Sequence, residues 1–252
     1  MRLRDEYFRR LVDEAHVELY FSAVDGARLY WPWRMQPPKD ATDSYRNACE
    51  KYVIDSDPLN DAVTARDVLD CAHRLGAEVA SLQDVYLDQD ATADALLRGL
   101  EIADDHAFDG TLLLPLQDPY VECWHDLGEP TAHWIGVGGL KDASDSARIQ
   151  ACVNLRDAIG PGVHLHGFGW GPRDDLAATI RSEPTLLDSL DYSTPIQRGI
   201  DGIDGTPGAE RMSVTAAAAG ARLVRDLREV TPHPDRRGCE TDRTAQAGVG
   251  DF

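Results

Sequence analysis

The runs "VHLHGFG" (163–169) and "LLDSLDYS" (186–193) decide the fold. Each is short, rich in strand-forming residues and flanked by Gly, Pro or Asp, which is the signature of a strand in a barrel rather than of a helix. Similar runs recur upstream: "VELYFSAV" (17–24), "KYVIDS" (51–56), "AEVASLQD" (77–84), "GTLLLPLQ" (110–117) and "HWIGVGGL" (133–140). Amphipathic segments separate them. "TARDVLDCAHRLG" (64–76) puts Val68, Leu69, Ala72 and Leu75 at helical spacing, and "TADALLRGLEIADDH" (92–106) does the same with Leu96, Leu97 and Leu100. This alternation predicts an α/β fold with a parallel sheet and crossover helices. Seven strands are clear, and "ARLYWPW" (27–33) offers an eighth, which completes a (β/α)8 barrel; a doubly wound open sheet is the structural alternative. A chain of 252 residues suits one such barrel. Its span is read as 1–230, ending with the helix "MSVTAAAAGARLVRDLREV" (212–230), and residues 231–252 read as a polar, flexible tail.

Charge and cysteine usage narrow the setting. There are 44 acidic against 25 basic residues, a net charge of −19, with 32 Asp and only three Lys: Lys39, Lys51 and Lys141. That balance predicts a surface adapted to high salt, where screening within about 3 Å at 1 M relieves carboxylate repulsion. It also makes nucleic-acid binding in dilute buffer unfavourable, an objection that weakens in concentrated salt. The five cysteines form no CxxC pair, so neither a zinc ribbon nor a disulfide framework is indicated and reduced thiols are expected. No run approaches the roughly 18 apolar residues of a membrane span, and the charged amino terminus is unlike a signal peptide. The expectation is a soluble, cytoplasmic protein without membrane contact.

Polar groups gather at the ends of the predicted strands: Asp55 and Ser56, Asp84, Gln117, Gly138 and Gly139, and Asp188. In α/β barrels these carboxyl ends converge on one pocket, where side chains from several strands meet a ligand. A single Asp after a strand is as readily a helix cap. Gln117 is a poor cap, however, and a Gly-Gly pair has no side chain to cap with. His164 and His166, two apart on one strand face, admit three readings: pocket lining, satisfied core histidines, or metal ligands. Trp31 and Trp33 can stack on bases or pack against the barrel, and Arg236, Arg237 and Arg243 can touch phosphates or be solvated.

Taken in chain order, six of these motifs resemble the guanine transglycosylases that exchange guanine for a 7-deazaguanine, comprising tRNA-guanine transglycosylase and its DNA-acting relatives. "VIDS" (53–56) looks like their Asp-Ser motif, "LQD" (82–84) like the base-recognition strand and "PLQ" (115–117) like the strand ending in Gln. "VGGL" (137–140) is similar to their Gly-Gly-Leu turn, "HLHGFGWGPRDDL" (164–176) to the strand with its glycine loop, and "LLDS" (186–189) to the nucleophile strand. The chain departs from the pattern at Asp57-Pro58, where the family usually has Gly-Gly, and nothing matches its cysteine-rich zinc subdomain. The resemblance therefore implies a (β/α)8 barrel lacking that subdomain and closest to the DNA-acting branch.

For the site, the resemblance implies Asp188 as the nucleophile and Asp55 as general acid and base. Ser56, Asp84, Gln117, Gly138, Gly139 and His166 would contact the base. Asp84 would accept from the N1 and N2 hydrogens of guanine, while Gln117 and the Gly139 amide address O6. DNA is the implied partner, with tRNA less favoured, together with a free 7-deazaguanine of the preQ0 type and, in some systems of the family, an ATPase subunit. No cofactor and no metal are expected. Two alternatives stay open: a metal-dependent barrel hydrolase using His164, His166, Asp55, Asp84 and Asp188, and a degenerate paralogue that binds nucleic acid without catalysis. Because neighbouring strand residues face opposite ways, Asp188 and Asp191 cannot both face the interior of a regular strand, and Asp188 is expected to be the functional one.

Overall fold

The structure, a computed structural model, describes residues 17–22, 31–58, 60, 62–106, 108–170, 178–180 and 182–191. Eight strands appear in chain order: β1 (Glu18–Ser22), β2 (Trp33–Gln36), β3 (Lys51–Ile54), β4 (Val79–Ser81), β5 (Thr111–Leu116), β6 (Trp134–Val137), β7 (Leu165–Gly167) and β8 (Ser189–Asp191). Each pairs in parallel with the next, and β8 pairs with β1, so the sheet is a closed (β/α)8 barrel. The open-sheet alternative is set aside by that last pairing. The described helices are α1 (Asp43–Arg46), α2 (Ala65–Leu75), α3 (Gln89–His106), α4 (Tyr120–Asp126) and α5 (Asp145–Ile159). The predicted helix at 212–230 and the tail at 231–252 lie outside the described residues.

Two local readings are refined. The strand expected at 27–33 instead begins at Trp33 and runs to Gln36, so "WRMQ" supplies the second strand. The helix α2 buries all four predicted residues and is closed by a Thr64–Asp67 capping box at one end and Gly76 at φ 60° at the other. In α3, by contrast, Leu96 is buried but Leu97 is 42% exposed. The buried face is Thr92, Ala93, Leu96, Gly99 and Ala103, mostly small residues that let the helix pack closely. A count of leucines overlooks such a face.

The register sorts strand residues into an inward and an outward set. Tyr20 of β1 meets Trp134 of β6 edge-on at 6.3 Å, a contact between non-neighbouring strands that is possible only across the lumen. Tyr20 is level with Asp191, His166 with Ser189 and with Gly136, and Pro115 with Gly136. These residues therefore face inward. The alternate set, Leu19, Leu190, Gly167, Val137 and Leu116, faces the helices.

Trp31 belongs to the outer core: it stacks on Phe21 at 4.2 Å, donates from Nε1 to the Leu19 carbonyl at 2.8 Å and is fully buried. Trp33 opens β2 at the amino end of the barrel, opposite the strand ends where a pocket forms. Both tryptophans pack, and neither is placed to stack on a ligand at the carboxyl mouth. Cys49, Cys71, Cys123 and Cys152 are buried free thiols, pushed by burial above the ordinary thiol range. Among the described residues no helix is long and apolar enough to cross a membrane.

Candidate active site

Three carboxylates meet at the carboxyl mouth: Asp55, Asp84 and Asp191. Asp55 follows β3 and is fixed by its N–H donating to the Gln36 carbonyl at 2.9 Å. Burial first, then the charges of Asp191 and Asp84, push its carboxyl up to about 7, against the N–H of Ser56, which favours the ionised form. Ser56 is itself buried. The next residue, Asp57, holds φ at 53°, the left-handed region that favours glycine, and its carboxylate accepts from Lys39 Nζ at 2.8 Å and Asn60 Nδ2 at 3.3 Å. Where the resembling family has glycine, this chain keeps a glycine-like backbone turn and secures it with side-chain bonds.

Asp84 leaves β4 and accepts a 2.5 Å hydrogen bond from Gln117 Nε2. Burial raises its carboxyl above the usual range and the Gln117 bond works in the other direction. Gln117, fully buried at the end of β5, also accepts the Leu87 N–H at 3.2 Å. One donor and one acceptor of its amide are thus taken by protein groups, and Gln117 positions Asp84.

The Gly138-Gly139 pair makes room for that amide. A Cβ at Gly138 would stand 2.5 Å from Gln117 Nε2, and one at Gly139 would stand 2.6 Å from its Oε1. Gly139 also has φ 73°. Gly138→Ala is therefore expected to push Gln117 from Asp84 and to lower stability by about 1–3 kcal/mol, as overpacking does. Urea unfolding measures this, and a stability unchanged within 0.5 kcal/mol or so would mean that the amide repacks freely. The Gly138 N–H is used by the Leu116 carbonyl and its own carbonyl by Tyr120 Oη, so Gly138 shapes the site without offering it a polar group.

Asp188 is not in this pocket. It precedes β8, its carbonyl accepts from Glu18 N–H at the start of β1, and its N–H donates to the Leu165 carbonyl at the start of β7. That is the amino rim, the end of the barrel opposite Asp55. Its carboxylate is occupied by Arg156 of α5 at 2.6 Å and by the Leu165 N–H at 2.8 Å. The expected nucleophile is corrected to a structural acid that ties β7, β8 and α5 together. Asp191, at the carboxyl end of β8, faces inward, is buried, and accepts the Gly169 N–H at 2.5 Å. The rule that only one of the two acids faces inward holds, but the inward one is Asp191.

His166 is inward and fully buried beneath Asp191, with Nε2 3.5 Å from Asp191 Oδ1 and Nδ1 2.8 Å from Ser189 Oγ. It supports an acid rather than lining an open surface. His164 stacks on Trp134 at 3.5 Å and also reaches Ser189 Oγ, at 2.7 Å. Two histidines turned to one hydroxyl, with Asp188 at the far rim, do not form the donor set of a barrel hydrolase. Among the described residues no three His, Cys, Asp or Glu side chains are grouped to hold a metal ion.

The sequence reading missed Asp191, Ser189 and Gly169. The available signal was position, since Asp191 is the last strand residue before "YSTP" and so nearest the mouth. Chemically, the mouth offers a carboxyl raised to about 7, a second buried acid with β1 and β2 between them around the barrel and a third held by an amide, the arrangement expected where an acid and a nucleophile share one task. No family model matches the chain, and no curated protein matches it.

Proposed function

We propose that the carboxyl mouth carries out a base exchange on a nucleic acid, replacing guanine with a 7-deazaguanine through a covalent glycosyl-enzyme. The observation that supports this most is the pair Asp55 and Asp191: a carboxyl raised to about 7 and, within electrostatic reach, a buried acid aimed into the same opening. Asp191 attacks C1′ of the target nucleotide as the glycosidic bond to guanine breaks, and Asp55 delivers a proton to the departing purine. The incoming base then returns a proton to Asp55 as its nitrogen displaces Asp191 from C1′. Asp84, held by Gln117, accepts the N1 and N2 hydrogens that distinguish guanine from adenine, and the Gly139 amide faces O6. The ordered motifs and the glycine-like turn at Asp57 favour the same reading. The nucleotide leaves its stack to enter the mouth, and the polymer is read as DNA, following the resemblance to the DNA-acting branch.

The direct test incubates the protein with labelled guanine and either duplex DNA or tRNA. Label entering DNA supports the reading, label entering tRNA alone moves the substrate to RNA, and label in neither removes base exchange. A binding-only paralogue is the second reading, favoured by Gln117 already occupying Asp84. It would retain nucleic acid on a filter without incorporating label.

Salt provides an independent check of the setting. With a net charge of −19, raising KCl from 0.1 to 3 M should raise the melting temperature, because screening relieves carboxylate repulsion. An ordinary phosphate-binding protein loses affinity over such a range; here exchange should persist or increase. A melting temperature that stays flat or falls would remove the high-salt adaptation.

A further inference from the structure

A file of polar side chains runs down the lumen from Asp191: His166, then Ser189, then His164 against Trp134. Ser189 Oγ is 2.8 Å from His166 Nδ1 and 2.7 Å from His164 Nε2. A hydroxyl has one hydrogen, so it can donate to only one ring, and the other ring must donate to it. Two arrangements use the hydroxyl hydrogen in one of these bonds, and a third, in which both rings donate to Oγ, places the His166 hydrogen on Nδ1 just as the second of them does. If Ser189 donates to His166 Nδ1, His166 carries its own hydrogen on Nε2, facing Asp191 Oδ1 at 3.5 Å. If Ser189 instead donates to His164, His166 carries its hydrogen on Nδ1 and turns a lone pair toward an acid oxygen. Asp191 Oδ1 already accepts from the Gly169 N–H, so it is an acceptor, and two facing acceptors repel strongly in a water-poor lumen. Edge contacts from Tyr20 at 6.0 Å and Phe168 at 4.7 Å hold the His166 ring, and buried Nε2 makes no hydrogen bond, its facing charge being Asp191 Oδ1 at 3.5 Å.

We infer that Ser189 and His164 are positioning residues that fix His166 as the Nε2–H tautomer, which steadies Oδ1 of Asp191 and leaves Oδ2 for attack. This rests on Asp191 being the nucleophile. The device acts through geometry: an N–H on Nε2, 3.5 Å from Oδ1, attracts that oxygen and biases the rotation of the carboxylate about its side-chain axis, and a misdirected attacking oxygen loses rate on the order of 10²-fold.

The tautomer is read directly in the unmodified protein, by nitrogen-15 NMR of histidine-labelled material, without any assay of activity. The expected result is a hydrogen on Nε2 of His166 and none on Nδ1; a hydrogen on Nδ1 overturns the inference. In Ser189→Ala the ring should lose its fixed tautomer, kcat for base exchange should fall roughly tenfold to a hundredfold with KM for the base changed less than about twofold, and Ser189→Thr should recover most of the rate. A Ser189→Ala protein with unchanged tautomer and kcat also overturns it. A protein inert in base exchange whose His166 nevertheless sits as Nε2–H, and loses that preference in Ser189→Ala, supports the tautomer device and sinks the transglycosylase reading alone.

Discussion

Asp191→Asn abolishes the covalent adduct with nucleic acid, and Asp188→Asn keeps it. The amide of the first variant still accepts the Gly169 N–H, so the loop after β7 stays in place, but a neutral amide is a very poor nucleophile toward C1′. The expected loss of exchange rate is on the order of 10⁴–10⁶-fold, as when a covalent nucleophile is removed elsewhere. Asp188→Asn acts on the other rim. It removes the charge that Arg156 faces at 2.6 Å, and with Arg156 only 10% exposed the fold loses on the order of 3 kcal/mol while the mouth is unchanged. Denaturing gels for the adduct and urea melts for stability, run on both variants, decide the matter. An adduct that survives in Asp191→Asn and vanishes from a folded Asp188→Asn would return the nucleophile to the amino rim and contradict the register described above.

Asp55→Asn should lower the exchange rate about 10²–10⁴-fold and at the same time stabilise the protein above neutrality. The two effects share one origin. Asp55 has a folded value of about 7, above the unfolded value of 3.8, so the folded state holds a proton that the unfolded chain has released. Between those values stability must fall as pH rises, and above about 7 both states are ionised and the slope vanishes. The variant lacks this penalty. Its stability advantage over the parent should widen from pH 4 to 7 by about 2 kcal/mol, after allowance for screening at a partly open mouth, and then level off. Exchange in the parent should decline as pH passes about 7, because the acid that protonates the leaving purine is then lost. Urea melts of both proteins at pH 4.5, 6 and 8 test the first claim. A gap that is constant with pH would mean that Asp55 is ionised throughout and cannot serve as the acid.

The barrel was legible because its periodicity is redundant: seven runs with β character, alternating with amphipathic segments, leave few arrangements. The eighth strand was misplaced by a few residues because "WRMQ" contains Arg34 and Gln36, which face outward and are buried with Tyr45 and Tyr52 as partners. Polarity disguises a strand when its partners come from another element. Asp55, Asp84 and the Gly-Gly pair were found by one rule, that function collects where strands end. Applied to "LLDSLDYS" the same rule selects Asp191; it was set aside for a tetrapeptide resemblance, which carries no information on phase. The roles of Gln117 and Ser189 were not legible at all, since their partners Asp84, Leu87 and His166 lie on other strands and loops, and spacing along the chain does not encode which of them an amide or hydroxyl will meet.

The pairing of Tyr20 with Asp191 joins the first described strand to the last. Contacts so remote in sequence form late, after the loop-closure entropy of the intervening chain has been overcome. A nascent chain ending after β7 already carries Asp55 and Asp84 yet lacks Asp191. The group of acids at the mouth is therefore completed only by the final stave of the barrel, and a partly made chain holds Asp55 and Asp84 without their third member.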